Sequence, residues 1–251
     1  MTEASLPENS ADLAGRQSDR LTPVRRVQLY GQRCSGTNYL QRLIEQNLPG
    51  LKVSFCFGYK HSTPKNLHQP HDDCLFCVIY RDPYTWLQSL HQNAWHAHPR
   101  MRDAPFSEFI RLPWHCIYDH ESCTPPDDPM YGKEMMHERH PESGLRYANV
   151  MQMRSDRIRR WQFLSARVKH FWWVQYESLC RLPELMIDDL AEAAGRRRCR
   201  PFRPVIQYKG IRSCPAYVPK RYAPISTADR AFITAELNWR VENRIGYFPH
   251  K

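Results

Sequence analysis

Val27-Gln28-Leu29-Tyr30-Gly31-Gln32-Arg33-Cys34-Ser35-Gly36-Thr37-Asn38-Tyr39-Leu40-Gln41-Arg42-Leu43-Ile44 is the stretch on which the reading of the chain turns. Val27 and Leu29 bracket a short strand, and Leu40, Leu43, Ile44 and Leu48 recur at helical spacing. Between them Gly31 and Gly36 permit torsions that other residues resist, while Ser35, Thr37 and Asn38 offer polar side chains. A loop entering a helix in this way directs unpaired backbone N–H groups outward, with the helix dipole behind them. The expected guest is a phosphate.

Outward from this stretch the same alternation continues. Lys52 to Phe57 reads as a second strand with Val53, Phe55 and Phe57 on one face, followed by the polar turn Gly58-Tyr59-Lys60-His61. In open parallel sheets ligands sit beyond the carboxyl ends of strands, which places Lys60 and His61 for chemistry. Taken alone, the residues favour a surface turn with two solvated side chains. Cys74 to Tyr80 is a continuous apolar run, as expected of a central parallel strand. It ends in Arg81-Asp82-Pro83, where Asp82 can cap a helix that Pro83 begins, and Ser89 lies two turns further on. Residues 91–140 are rich in Pro, His and Trp and are too long for a plain connection, so a substrate-covering lid is expected. Arg146 to Ser165 reads as a helix whose stripe holds Val150, Arg154, Ile158 and Trp161. A strand over His170–Gln175 runs into Tyr176-Glu177-Ser178-Leu179, and a helix follows with Pro183 at its start and Gly195 at its end. Residues 196 to 224 form a basic loop containing Tyr208-Lys209-Gly210, and a last helix is capped by Ser226 or Thr227. The order implies an α/β domain with a mostly parallel sheet over residues 23–251, behind a flexible leader over 1–22.

Composition narrows the classes. Ten Phe, thirteen Tyr and seven Trp in 251 residues argue against disorder. A net charge of +10 suits an anionic partner. Nine scattered cysteines, a polar amino-terminal stretch and no long apolar run point to free thiols, a cytoplasmic setting and no transmembrane segment. Cys74 and Cys77 have zinc-like spacing but fall in an apolar strand, so packing is favoured. His115, Cys116, His120 and Cys123 read as a polar loop ahead of a metal site. Arg196, Arg197 and Arg198 carry no nucleic-acid recognition motif.

The loop itself discriminates among phosphate chemistries. A nucleotide-hydrolysing loop needs Gly-x4-Gly-Lys-[Ser/Thr]. Gly31 and Gly36 have that spacing, but Thr37 and Asn38 stand where the lysine and the magnesium-binding hydroxyl belong. What remains is a loop for an anionic nucleotide end without an obligatory metal.

Ser35-Gly36-Thr37-Asn38-Tyr39-Leu40 resembles the Ser-Gly-Thr-Thr-Trp-Leu loop of sulfotransferases that use 3′-phosphoadenosine 5′-phosphosulfate (PAPS). Arg81 and Ser89, eight apart, resemble that family's 3′-phosphate pair, Tyr176-Glu177-Ser178-Leu179 its Tyr-Glu-Asp-Leu element, and Tyr208-Lys209-Gly210 its late Arg-Lys-Gly loop. Lys60-His61 resembles its Lys-x-His, in which lysine aids the sulfuryl group and histidine deprotonates the acceptor. Gly-Gln-Arg-Cys-Ser-Gly-Thr-Asn-Tyr-Leu with a later Tyr-Lys-His is similar to a sulfotransferase-like branch of that family.

The resemblance implies a three-layer α/β fold with a sheet of the P-loop nucleoside triphosphate hydrolase type and a helical or loop lid. It implies PAPS as donor, no metal, and in-line sulfuryl transfer to a hydroxyl or amine of a carbohydrate or small metabolite, with no nucleic-acid partner. His61, Lys60 and Arg33 would be catalytic. Arg33, Cys34, Ser35, Gly36, Thr37, Asn38, Tyr39, Arg81, Ser89, Tyr176, Lys209 and Gly210 would bind the nucleotide. Two departures stand out. Cys34 occupies the place of the family's Lys or Arg before Ser-Gly, so Arg33 is expected to supply the charge. Lys60 and His61 are adjacent, so an extended backbone would point them to opposite sides. The alternatives are a non-catalytic nucleotide- or nucleic-acid-binding protein and a small-molecule kinase with an atypical loop.

Overall fold

The computed structural model describes residues 23–120, 123–207, 214–218 and 220–249. The leader over 1–22 and the expected nucleotide-loop residues Lys209 and Gly210 lie outside them. Strands β1 (Arg26–Gly31), β2 (Lys52–Ser54), β3 (Cys74–Tyr80) and β4 (His170–Gln175) form one sheet in the order β2-β1-β3-β4, and every pairing is parallel. β3 is buried along its whole length, as its unbroken apolar run requires of a strand covered on both faces.

Alternation along β1 and β3 divides the core in two. Val27, Leu29, Leu75, Cys77 and Ile79 face helix α1 (Thr37–Asn47) and helix α7 (Pro183–Ala193), whose Leu40, Leu43, Ile44, Ile187 and Leu190 meet them. Tyr30, Phe76, Val78 and Tyr80 face the other way, onto Ile158 and Trp161 of α5 (Val150–Gln162) and onto Val241, Ile245 and Tyr247 near the carboxyl end. Helices therefore cover both faces of the sheet.

β2 is shorter than its sequence suggests. Val53 packs with the α1 side, but Phe57 is wholly buried on the opposite face and Phe55 is exposed, so the three do not share a face. The cause is Gln28 on β1, whose side-chain oxygen accepts from Phe57 N (3.1 Å) and whose amide donates to Gly58 O (2.9 Å). A side chain has replaced the strand ladder, and the backbone is free to turn across the sheet end.

Helix ends follow their sequence signals. Asp82 caps α2 (Pro83–Gln92) by accepting from Thr85 N at 2.9 Å, with Pro83 in the first turn. Ser226 caps α8 (Thr227–Glu236) through Asp229 N. Tyr176 to Arg181, expected as the tail of a strand, coils into the short helix α6.

Residues 91–140 are not a loose cover. Helices α3 (Pro99–Arg102) and α4 (Phe106–Phe109), with isolated bridges Ala97–Cys116 and Ile117–Glu134, shape a folded insert. Its Met101, Phe109, Ile110 and Trp114 share a hydrophobic cluster with Trp86 and Leu90 of α2, Val150 and Met151 of α5, and Ile233 of α8. No helix among the described residues is long and apolar enough to cross a membrane.

Candidate functional site

The strand order puts the site where two connections diverge. From β1 the chain passes through α1 to β2 on one side, then returns across β1 to β3 on the other. The crevice outside the carboxyl ends of β1 and β3 is the place where open α/β sheets bind ligands. The loop from Gly31 to Gly36 and the tip at Arg81 occupy it.

Within the loop, side chains are spent on holding its shape. Ser35 Oγ donates to Gln32 O at 2.6 Å, and Gln32 Oε1 accepts from the fully buried Arg154 at 3.0 Å. Gly31 runs so close to β3 that an added Cβ would lie 2.7 Å from Ile79 Cγ2 and 2.8 Å from Thr37 Cγ2. Gly36, the residue before α1, is left-handed at φ 94°, and an added Cβ there would run into the ring of Tyr176. Because it has no side chain, it cannot cap the helix, and the first-turn N–H groups are left for an anion. Cys34 is also left-handed, at φ 64°, an uncommon state for a residue with a Cβ.

Arg81 and Ser89 converge on that residue. Arg81 Nη1 donates to Cys34 O at 2.9 Å, the Cys34 thiol points to Asn93 O at 3.8 Å with Ser89 close enough to act on it, and the Arg81 guanidinium lies over the Tyr176 ring, 4.7 Å from its centroid. Burial raises the Cys34 thiol above its ordinary value against the pull of Arg81, so it stays neutral at pH 7. Arg81 Nε is buried without a partner among the described residues. Tyr222 accepts from Arg81 Nη2 at 3.4 Å, Tyr217 meets the Tyr176 hydroxyl at 2.8 Å, and Lys220 reaches Gln92 at 3.4 Å. Lys220 is also close enough to act on the Cys34 thiol. These three residues were not singled out from sequence. Their signal was the basic, proline-rich character of residues 196–224, which marks a loop without marking which side chains turn inward. Tyr39 lies within range of Tyr217 and Cys180, and burial raises its phenol to about 12.

Lys60 and His61, in a turn beyond β2, part company. Lys60 Nζ donates to Asn38 Oδ1 at 2.5 Å, at the mouth of the loop, and desolvation with Arg42 nearby lowers its ammonium below the ordinary value. His61 Nδ1 donates to Gly31 O at 2.7 Å, which leaves Nε2 with the ring's lone pair. Burial lowers the imidazole to about 3.

Arg33 has a different task from the one expected. Its guanidinium leaves the loop for the insert and pairs with Glu138 at 2.8 Å, with Cys116 Sγ at 3.3 Å and Trp95 O at 3.4 Å as further partners. Trp86 Nε1 holds its carbonyl at 2.8 Å. The guanidinium thus fastens the insert to the loop, and the carbonyl ties the loop to α2. Burial opposes the charge, and Glu138 overcomes it and holds the guanidinium protonated.

The other chemistry-bearing clusters are structural. Cys74 and Cys77 are buried in β3, and all nine cysteines are free. Among the described residues no group of three or more His, Cys, Asp or Glu is arranged to hold a metal ion. Arg196 donates to Val24 O, and Arg198 pairs with Glu184 and Asp188. No family model matches the chain, and no curated protein sequence matches it.

Proposed function

We propose that the chain is a sulfotransferase of the P-loop fold type that moves a sulfuryl group from PAPS to a hydroxyl or amine of an acceptor. The observation that carries this reading is the convergence of Arg81 and Ser89 on Cys34, beneath a tyrosine at the start of α6. The buried, unpartnered Arg81 Nε and the close approach of Gly36 to Tyr176 fit an anionic nucleotide with a flat base. Arg81, Ser89 and Lys220 would hold the 3′-phosphate, the N–H groups of α1's first turn the 5′ end, and Tyr176 and Tyr39 the base.

The donor supplies the sulfuryl group and a nucleotide phosphate as its leaving group. The chain's own residues position and stabilise. Lys60, held by Asn38, neutralises charge beside the loop. His61 is neutral at pH 7, and its Nε2 takes the proton of the acceptor as the new bond to sulfur forms.

A second reading, a nucleotide-binding protein without transfer, is favoured by the low basicity of His61 and by the engagement of Arg33 with Glu138. A kinase is disfavoured by Thr37 and Asn38 at the lysine and hydroxyl positions.

Thermal denaturation in EDTA tests the binding. We expect 3′,5′-adenosine bisphosphate to raise the melting temperature without metal, because a ligand that binds only the folded state stabilises it by mass action. Stabilisation by ATP with magnesium alone would replace this proposal with the kinase. Transfer of labelled sulfate from PAPS to carbohydrate and phenol acceptors then separates transfer from binding alone.

A further inference from the structure

Buried guanidinium groups are ordinarily matched by carboxylates, because an unpaired charge taken from water is costly. At the junction of the phosphate loop and the insert the charges do not cancel. Glu138, 3% exposed, pairs with Arg33 and with Arg157, whose side chains are 11% and 4% exposed. Its remaining bond comes from Trp114 Nε1 at 3.0 Å. The other partners of Arg33 are a carbonyl, a thiol and a thioether, all neutral. Among the described residues two buried cations share one carboxylate, and a net positive charge is left over.

Besides the Cys116 thiol, Tyr59, His61, His96 and His137 feel both Arg33 and Glu138. The three imidazoles are lowered first by burial and then by Arg33, or by Arg33 acting against Glu138, so they are neutral at pH 7 and cancel nothing. Asp119, beside His96, is committed to Arg102 at 2.6 Å. Lys65, within range of His137, adds to the positive side. Tyr59 is 54% exposed and meets the His61 ring edge-on at 5.2 Å, and the His137 side chain is 34% exposed, so the group has a face open to solvent.

We propose that the Arg33–Glu138–Arg157 triad, with Tyr59, His96 and His137 around it, binds a carboxylate or sulfate group of a ligand, at a place separate from Arg81 and Ser89. The excess charge attracts the anion, the imidazole N–H groups and the tyrosine hydroxyl donate to it, and Tyr59 offers a ring for the body of the ligand. On the transfer reading proposed above, on which this identification of the ligand rests, the ligand is the acceptor, and the enzyme works on acceptors that already carry an acidic group. The anion site itself does not depend on that reading.

The test is titration calorimetry of the full chain with inorganic sulfate as probe, after saturation with 3′,5′-adenosine bisphosphate. Wild type should take up sulfate. Arg157→Met leaves one cation for one carboxylate, so it should melt no lower than wild type at low salt while weakening sulfate binding about tenfold or more. His137→Glu supplies a second carboxylate from within the chain and should cause the same loss, and it decides the matter alone if Arg157→Met does not fold. No sulfate uptake by wild type, or wild-type affinity in either folded variant, overturns the inference. If the bisphosphate itself fails to bind, the proposed function falls, and the sulfate titrations repeated in an Arg81→Met background still decide the anion site.

Discussion

His61 carries the clearest consequence at the scale of single residues. Its folded-state imidazole, near 3, lies below the ordinary value of 6.5, so between these pH values the unfolded chain binds the proton that the folded chain refuses. The stabilisation is complete above pH 6.5 and is lost as the pH falls toward 3. His96, His115 and His137 are lowered too, each first by burial, and add to the same slope. We predict that the melting temperature falls steadily below pH 6.5 and that His61→Gln flattens part of the decline, read by circular dichroism from pH 4 to 8. A parallel decline in wild type and variant would remove His61 as its source. On the transfer reading His61→Ala should lower kcat by about 100-fold or more with little change in donor affinity, the scale of a lost general base.

Arg33 shows why residue roles are harder to read than residue types. A cation beside the loop was visible in the sequence, but its direction was set by Glu138, 105 positions later. Nothing local distinguishes an arginine aimed at a ligand from one aimed at a distant carboxylate. The placement of Arg81 and Ser89 was legible because both are fixed by one helix: Arg81 precedes α2 at the strand tip, and Ser89 lies two turns into it.

Among elements, the turn from β1 into α1 was legible nearly residue for residue, since its glycines and its apolar spacing are local signals. β2 was not, because Gln28 on the neighbouring strand replaces its ladder with side-chain bonds. The same turn yields a sharp prediction. At Gly36 a Cβ meets both an unfavourable φ of 94° and the Tyr176 ring. Gly36→Ala should therefore cost about 1–3 kcal/mol, the scale of stored backbone strain, and should weaken nucleotide binding beyond that loss of stability. Chemical denaturation and nucleotide titration on one preparation measure both. Full nucleotide affinity in a folded Gly36→Ala chain would remove this turn from the site.

For the molecule as a whole, the insert over 91–140 shares a core with the helices that flank the sheet. Strong periodic segments announced the sheet and its helices, whereas the insert's Met101, Phe109, Ile110 and Trp114 follow no single period and find partners only through α2, α5 and α8. Phe109→Ala should cost about 3–5 kcal/mol, as for a large core ring, and should lower the one unfolding transition of the entire chain. Two separated transitions, with the sheet unaffected, would restore the picture of an appended cover. The buried pair Arg154–Glu242 joins the same whole, and Glu242→Gln should destabilise by about 3–5 kcal/mol by leaving Arg154 uncompensated.

That pair also bears on the timing of synthesis. Arg154 braces Gln32 of the loop between β1 and α1 across 122 positions and the Arg81 carbonyl across 73, and it is in turn charged against Glu242, 88 positions further on. A ribosome releases the loop early, but the carboxylate that lets its brace remain buried emerges far later. The nascent chain can assemble strands and helices as they appear, yet the loop's brace is not fully compensated until the segment bearing Glu242 has left the exit tunnel. On the proposed function, stalled or prematurely terminated chains would hold nucleotide weakly.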